Sequence, residues 1–477
     1  MQLCRAYRDV FLSLLAPQLI MNVWDEVPQE YIAIIKDQLG ALEDKTERHN
    51  NLEQIVGRRW MPKPLWAVRN YDHDGIEAWE KLSGIPSSHS RITPYCIYIH
   101  VPFCRARCGY CDCYAFPLSK NEQRHIQQYT DALVQEIEMW GSQELLKERI
   151  ISTVHFGGGT PLMLGISNLD RIVNALKHNF CFSSKTELAF ETTSSMLTEE
   201  ILASFNQLGF SRIHIGVQSL QEDVRKKIGR RESPKTVLEK IRCAVRFGWI
   251  VSTDVIIGLP GYRNPGILDD LDSLMENGVE GFSIYELVQS PRNRLFFDQF
   301  HLTQQPILDK FIMFQTAFQH LLKHGFENCL YNHLSKHRDK NLYFTSPSRH
   351  EDLLGIGTIA DGYFGNFQYR HSTYLAYLKS ISEKNPGFEG GLVRSAAEDV
   401  YRQLEVEIRS GKPDPLVFVA NIGYEKSMDL FAKWIRLKMI CVDPSGDSCT
   451  LTPNGAWFIG KLLSDAAENI DTTTFIY

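Results

Sequence analysis

Short apolar runs recur through the middle of the chain, each ended by glycine or a polar residue and followed by a longer amphipathic stretch. Cys96–His100, Ile151–Phe156, Glu187–Thr192, Arg212–Gln218, Ile250–Ile257 and Phe282–Leu287 read as six strands. Helices are predicted near Glu122–Leu146, Leu169–Phe180, Glu199–Leu208, Glu222–Ile228, Pro234–Phe247 and Ile267–Met275, with a longer one from Ile307 to about His324. Strands alternating with helices at this rhythm imply right-handed crossovers and a parallel sheet. Six units fall short of the eight that close a barrel, so the α/β core is expected to be an open partial (β/α)6 barrel.

The flanks follow other patterns. Residues 1–93 read as a helical N-terminal extension, in which YIAIIKDQLGAL is amphipathic. The tryptophan-rich RRWMPKPLWAVRNYD either packs on a neighbouring domain or roofs a ligand site. The opening apolar run, Val10–Leu15, is short and broken by Ser13, which favours a packing helix over a signal peptide. The barrel is assigned to residues 94–326. Residues 327–394 read as a barrel-capping segment, loop-like over 331–378, where LGIGTIADGYFGNFQYRH lies. Residues 395–477 read as helices with a hairpin near Asp443–Leu451, a small α+β winged-helix-like C-terminal domain. No basic stripe accompanies it, so a structural cap is expected rather than a nucleic-acid binder.

The chain of 477 residues has room for two or three domains and carries ordinary globular composition, 43% hydrophobic and 23% charged. A formal net charge of −6 gives no electrostatic case for nucleic acid or an anionic membrane. No apolar stretch is long enough for a membrane span. Of eleven cysteines, Cys4, Cys96, Cys181, Cys243, Cys329, Cys441 and Cys449 are scattered, as buried free thiols in a reducing cytosol would be. A cytoplasmic location is therefore expected.

The other four cysteines stand together in YIHVPFCRARCGYCDCYAF, residues 98–116. Cys104, Cys108 and Cys111 are spaced C-x3-C-x2-C, with Cys113 two residues on. Three thiolates this close reach three corners of one [4Fe–4S] cube and leave the fourth iron for a ligand that does chemistry. A structural zinc site would want ligands in pairs, and a disulfide an oxidising compartment. The loop follows the first strand, and ligands collect at the carboxyl ends of parallel strands. Gly157-Gly158-Gly159-Thr160-Pro161 follows the second strand and lets the backbone approach a polar ligand. It has neither the dinucleotide G-x-G-x-x-G spacing nor the phosphate-binding lysine. Glu191, Gln218 and Asp254 end the third, fourth and fifth strands, and three such residues in succession point to one concave site. Arg230 either pairs with a ligand carboxylate or caps a helix dipole.

YIHVPFC with its cysteine spacing, GGGTP, ELAFE, GVQS and D-x-I-x-GLPG resemble the radical S-adenosylmethionine (SAM) enzymes related to oxygen-independent coproporphyrinogen III dehydrogenase, over about residues 95–470. The resemblance implies a radical SAM barrel in which Cys104, Cys108 and Cys111 hold the cluster and SAM chelates its fourth iron. It implies that Tyr110 packs on the adenine and that Gly158, Gly159 and Thr160 line the methionine end. Glu191, Gln218 and Asp254 make polar contacts to SAM, Arg230 pairs with its carboxylate, and Tyr98 contacts it near the cluster. His100 is either beside the cluster or a packed strand residue. Residues 1–95 lack the PRYTSYPTA-like arm of the dehydrogenases, although Cys113 matches their C-x-C feature. The haem-chaperone branch starts nearer its first strand. PLWAVRNYD, AWEKL, Ile284–Val288 and ADGYFGNFQYRH look most similar to the class C radical SAM methyltransferases.

That branch implies transfer of a SAM-derived methyl or methylene carbon to an sp² carbon of a small tetrapyrrole or natural-product substrate. Two SAM molecules take part: one yields the 5′-deoxyadenosyl radical and the other loses hydrogen from its methyl group. Coproporphyrinogen oxidation and haem carriage are the alternatives. Tyr285 and Glu286 are candidates for a base or a substrate contact. Cys113 is either a neighbour of substrate or second SAM, or an inert thiol. An electron donor such as flavodoxin or ferredoxin is implied, with a monomeric enzyme and neither nucleic acid nor membrane as a partner.

Overall fold

The computed structural model describes residues 27–42, 70–85, 93–119, 122–290, 293–299, 303–336, 338–443 and 448–470. Six parallel strands, β1 (Tyr95–Val101), β2 (Ile151–Gly158), β3 (Glu187–Thr192), β4 (Arg212–Gln218), β5 (Ile250–Ile257) and β6 (Gly281–Glu286), lie side by side in chain order. Each is within a residue or two of its predicted span. The crossover helices Ile166–Asn179, Glu199–Leu208 and Pro234–Arg246 lie within three residues of their predicted spans, while the helix expected over Glu122–Leu146 ends earlier, at Gly141. Helices Asn264–Glu276 and Ile307–Lys323, here α7 and α8, follow β5 and β6 (α1–α6 being Gln29–Leu42, Gly75–Ser83, Gln123–Gly141 and the three crossovers just named).

Alternation along each strand sorts its side chains by face. Ile97, Ile99, Val154, Phe156, Leu188, Phe190, Ile213 and Ile215 are fully or almost fully buried in the apolar core. The alternate positions carry Tyr98, His100, His155, Glu191, His214, Asp254, Ser283 and Tyr285, a polar lumen. The floor of that lumen carries a buried polar network. Arg212 Nε donates to Asp339 Oδ1 at 2.9 Å and an Nη to Ser252 at 2.8 Å, while His333 bridges Asp339 Oδ2 at 2.9 Å and Ser283 at 2.8 Å. Burial opposes the charge on Asp339, yet Arg212 and His333 outweigh it and hold the carboxyl well below its usual range. Above the floor, Tyr343 stacks on Tyr98 and on His155, with centroids 5.0 and 4.5 Å apart.

The segment expected to be loop-like is instead sheet. Strands β7 (Glu327–Leu330) and β8 (His333–Ser335) extend the β6 edge antiparallel. On the opposite edge β9 (Asp352–Ile356) runs parallel to β1, and β10 (Asp361–Phe364), β11 (Phe367–His371) and β12 (Phe388–Val393) continue as an antiparallel meander. The glycines that suggest loop serve close packing. A Cβ on Gly362 would collide with the Tyr369 ring, whose hydroxyl donates to the Gly355 carbonyl at 3.1 Å and accepts from the Gly355 N–H at 3.0 Å.

Helix α1 contains the amphipathic segment expected there and buries Tyr31 and Ile35. AWEKL lies in α2, which opens on an Asp74–Glu77 capping box. RRWMPKP, most of PLWAVRNYD and the first 26 residues lie outside the described residues. The C-terminal region has helices Ala396–Arg409 (α9), Pro415–Ile422, Tyr424–Arg436 and Ile459–Glu468, with a hairpin of Ile440–Val442 against Cys449–Leu451, the winged-helix-like arrangement expected. It packs on α8 through Trp457, whose ring lies 5.4 Å from those of Phe311 and Phe314. Among the described residues no helix is long and apolar enough to cross a membrane.

Candidate functional site

The cysteine loop leaves β1 and is closed by a two-residue parallel ladder, Phe103–Cys104 against Phe116–Pro117. The Leu118 N–H donates to the Cys104 carbonyl at 2.9 Å and the Cys111 N–H to the Cys108 carbonyl at 3.2 Å, so the thiols share one tight turn. His100 fastens the far end, with Nε2 3.1 Å from the Tyr114 carbonyl and Nδ1 3.1 Å from the Tyr98 hydroxyl. Burial pushes its imidazole down to about 4, which leaves a neutral ring that donates to that carbonyl. His100 is a packed strand residue that braces the loop.

The glycine turn is zipped onto the same loop from β2. Gly159 donates to the Val101 carbonyl and Thr160 to the Phe103 carbonyl, both at 2.7 Å, and the Thr160 hydroxyl is 3.7 Å from the Cys104 sulfur. A Cβ on Gly159 would meet the Phe103 oxygen at 2.5 Å, and one on Gly158, at φ +103°, the His100 ring at 2.6 Å. Only glycine permits this approach.

One cavity of ≈ 170 Å³ opens onto both turns. Its wall carries Cys104, Cys108, Cys111 and Cys113 with Tyr110, Gly158, Gly159, Thr160, Glu191, Gln218, Arg230 and Asp254. Three expected site residues lie elsewhere. Tyr98 is in the lumen, in the stack with Tyr343, and its hydroxyl is engaged by His100. Tyr285 faces two neighbouring cavities of ≈ 340 and ≈ 220 Å³ between β6 and the C-terminal region. Glu286 occupies the opposite face of β6 from Tyr285 and pairs with Lys310 at 3.0 Å. It nonetheless shares the lining of the ≈ 220 Å³ cavity with Tyr285, so its expected role as base or substrate contact would be exercised from within that ion pair.

Two carboxylates on the wall are backed by histidines that the sequence reading passed over. His155 Nε2 lies 2.9 Å from Glu191 and His214 Nε2 2.5 Å from Asp254. Burial works against charge on Glu191, but His155, with His214 and His100 nearby, outweighs it and keeps the carboxyl below its ordinary value. Burial likewise opposes charge on His214, and Asp254 overrides it and lifts the imidazole above its ordinary value. Period-two alternation was the signal available: each histidine stands on the lumen face, two residues before a glycine.

Arg230 lies over the Tyr110 ring at 5.7 Å, and one of its Nη atoms donates to the Tyr110 hydroxyl. Its Nε, and Oε1 of Gln218, are buried without a partner. Gln218 reaches this position from φ +70°, where a bulge after Gly216 breaks the pairing of β4 with β5. A buried unpaired guanidinium donor and amide acceptor beside three clustered thiols fit a [4Fe–4S] cluster with an amino-acid ligand, for which Arg230 would offer a donor to the carboxylate and Gln218 Oε1 an acceptor to an amine N–H. Cys113 hydrogen-bonds to Cys111 and keeps the Cys111 thiol down at about 6.

Residues 98–274 match the radical SAM superfamily. Among curated proteins, the heme chaperone HemW of Buchnera aphidicola subsp. Schizaphis graminum is 26% identical over 223 residues, 47% of this chain and 58% of that protein. The oxygen-independent coproporphyrinogen III oxidase of Salmonella typhimurium is 28% identical over 199 residues, 42% of this chain and 43% of that protein. The anaerobilin synthase of Escherichia coli O157:H7 is 31% identical over 192 residues, 40% and 42%. The chain thus spans about half the length of the curated relatives it matches. The solved coproporphyrinogen III oxidase (HemN) from Escherichia coli superposes with a TM-score of 0.71 at 20% identity, over 89% of this chain and 99% of that one, which establishes a shared fold.

Proposed function

We infer, for a chain whose residues 98–274 form a radical SAM domain, an enzyme that cleaves SAM at a [4Fe–4S] cluster and acts on a tetrapyrrole-class substrate, with oxidative decarboxylation of a coproporphyrinogen-type propionate as the reaction. The single observation that carries the SAM-cleaving part is the shared cavity of Cys104, Cys108 and Cys111 with the unpaired Arg230 Nε and Gln218 Oε1. The substrate class rests on the names of the relatives, which favour coproporphyrinogen and heme over methyl transfer.

When bound, cluster and SAM together supply a one-electron reductive cleavage that yields a hydrogen-abstracting carbon radical. The protein's own part is positional. Arg230 and Gln218 orient the amino-acid end, and Tyr110 offers its ring to the adenine. Glu191, kept ionised, and Asp254 accept hydrogen bonds from hydroxyl or amine groups. The Tyr98–Tyr343–His155 stack closes the lumen behind the cavity and keeps water from the reacting atoms. The cavities at Tyr285 offer the substrate its space. A donor such as flavodoxin or ferredoxin supplies the electron to a monomeric cytoplasmic enzyme.

Anaerobic reconstitution followed by mass spectrometry with methyl-labelled SAM tests the reading. 5′-Deoxyadenosine formation that disappears in Cys104→Ala supports it, and cluster-loaded protein that leaves SAM intact sinks it. With coproporphyrinogen III, loss of carbon dioxide identifies decarboxylation. Label in the product would instead favour methyl or methylene transfer from a second SAM, and tight haem binding with only abortive cleavage a carrier.

A further inference from the structure

On the outer face of the barrel, away from the cysteine loop, three side chains of metal-ligand type converge. They are Asp272 on α7, His320 on α8 and His324 at the end of α8, and one ligand atom from each lies within 4.8 Å of the others. His320 and His324 are one helical turn apart, which places them on the same face, and their ring centroids are 4.3 Å apart.

The hydrogen bonds around the rings decide what each nitrogen is free to do. His324 Nδ1 lies 2.8 Å from the His320 carbonyl, an acceptor only, so Nδ1 carries the proton and Nε2 keeps its lone pair. His320 Nδ1 lies 3.1 Å from the Tyr31 hydroxyl, and its Nε2 lies 2.6 Å from the Asp272 carboxylate. Both imidazoles are therefore held at Nδ1 by an outer partner; His320 turns Nε2 to the Asp272 carboxylate, and His324 brings a ring nitrogen within 4.8 Å of the other two ligand atoms and keeps Nε2 as its free one. Metal-binding histidines are oriented in this way. The neighbouring cation, Lys323, is already paired with Glu30 at 2.8 Å.

We propose that Asp272, His320 and His324 form a divalent-metal site of the zinc class, in which Nε2 of both histidines and one Asp272 oxygen are the protein ligands and solvent fills the fourth position. The two-nitrogen, one-oxygen donor set suits tetrahedral zinc or cobalt. Binding releases no net proton: the neutral His320 ring loses its proton at Nε2 to solvent and takes one up at Nδ1, and the new Nδ1–H donates to the Tyr31 oxygen. Tyr31 changes from donor to acceptor, which a hydroxyl does without moving. Tyr31 belongs to α1, so the metal ties the N-terminal helix to the barrel through a ligand's outer hydrogen bond.

The test uses the full chain with its cluster reconstituted, so that the cysteine loop is filled. Zinc is titrated against a chromophoric chelator, iron and zinc are counted after desalting, and hydrogen exchange of residues 29–42 is followed with and without zinc. The expected result is one zinc beyond the cluster iron, with affinity weakened at least about tenfold in His324→Ala and in Asp272→Asn at unchanged iron content. Zinc should also slow exchange in α1 of the parent protein but not of His324→Ala, whose altered side chain is exposed and leaves the core untouched. Cobalt should give the intense visible bands of a tetrahedral site. No zinc beyond the cluster, or zinc held equally well by both variants, overturns the proposal. SAM cleavage is independent of this outcome.

Discussion

The floor and the mouth of the same barrel are both polar, yet they are built to opposite rules. At the floor, Arg212, Asp339, His333, Ser252 and Ser283 join in a buried hydrogen-bonded network, with the Arg212–Asp339 and His333–Asp339 contacts both at 2.9 Å. At the mouth, Arg230 Nε and Gln218 Oε1 are buried and unmet, and Gln218 holds a left-handed backbone to face the cavity. A buried polar group without a partner costs about 1–3 kcal/mol, and here two of them line one cavity beside the clustered thiols. The satisfied network reads as structure and the unsatisfied one as a binding site.

Four substitutions put that contrast at risk. Cys108→Ala should have the largest effect, loss of the cluster's visible absorbance and of SAM cleavage to background, with the thermal midpoint almost unmoved. A large fall in midpoint would mean that the mouth also holds the fold together. Asp339→Ala should act the other way. It strands Arg212 and His333 without their carboxylate and should cost about 3–5 kcal/mol in denaturant unfolding. A loss below 1 kcal/mol would erase the distinction. Arg230→Leu should weaken SAM binding by about 1.5–3 kcal/mol, roughly 10–100-fold by calorimetry, and change stability little. The smallest effect belongs to His100. Its native pKa is about 4 against an ordinary 6.5, so below pH 6.5 the unfolded chain takes up a proton that the folded one refuses. Stability should therefore be complete above that pH and fall by roughly 1 kcal/mol per pH unit toward pH 4. The difference between parent and His100→Gln unfolding free energies, measured from pH 7 to 5, should shrink accordingly. A flat difference would show that His100 titrates normally.

The six barrel strands were legible because apolar runs of this length, ended by glycine or a polar residue, have few other uses, and the cysteine loop because its thiols stand so close in sequence. The meander after residue 351 was not. Gly355 and Gly362 give their space to Tyr369, a packing relation between strands that no local pattern records. The strand-end residues Glu191, Gln218 and Asp254 were recognisable as polar endings of apolar runs, and all three reach the cavity. Their backing histidines were hidden in the strand interiors. Glu286 also ends a strand, but its pairing with Lys310 of α8 is a contact between distant elements that no local pattern records. Tyr98 sits at a lumen position, and only Tyr343, far away in sequence, turns it from the cavity wall into part of a plug.

Strand β9 has a further consequence during synthesis. It pairs along the flank of β1, with Asp352 opposite Tyr95 and Ile356 opposite Ile99. The strand that launches the cysteine loop therefore has an open edge until roughly 250 more residues have left the ribosome. At ordinary elongation rates that interval is roughly 10–50 s. Throughout it, the three thiols stand beside an unfinished sheet in a reducing or oxidising medium not yet excluded by the protein. Until β9 arrives, the strand that carries the cysteine loop is held on one flank only, by β2.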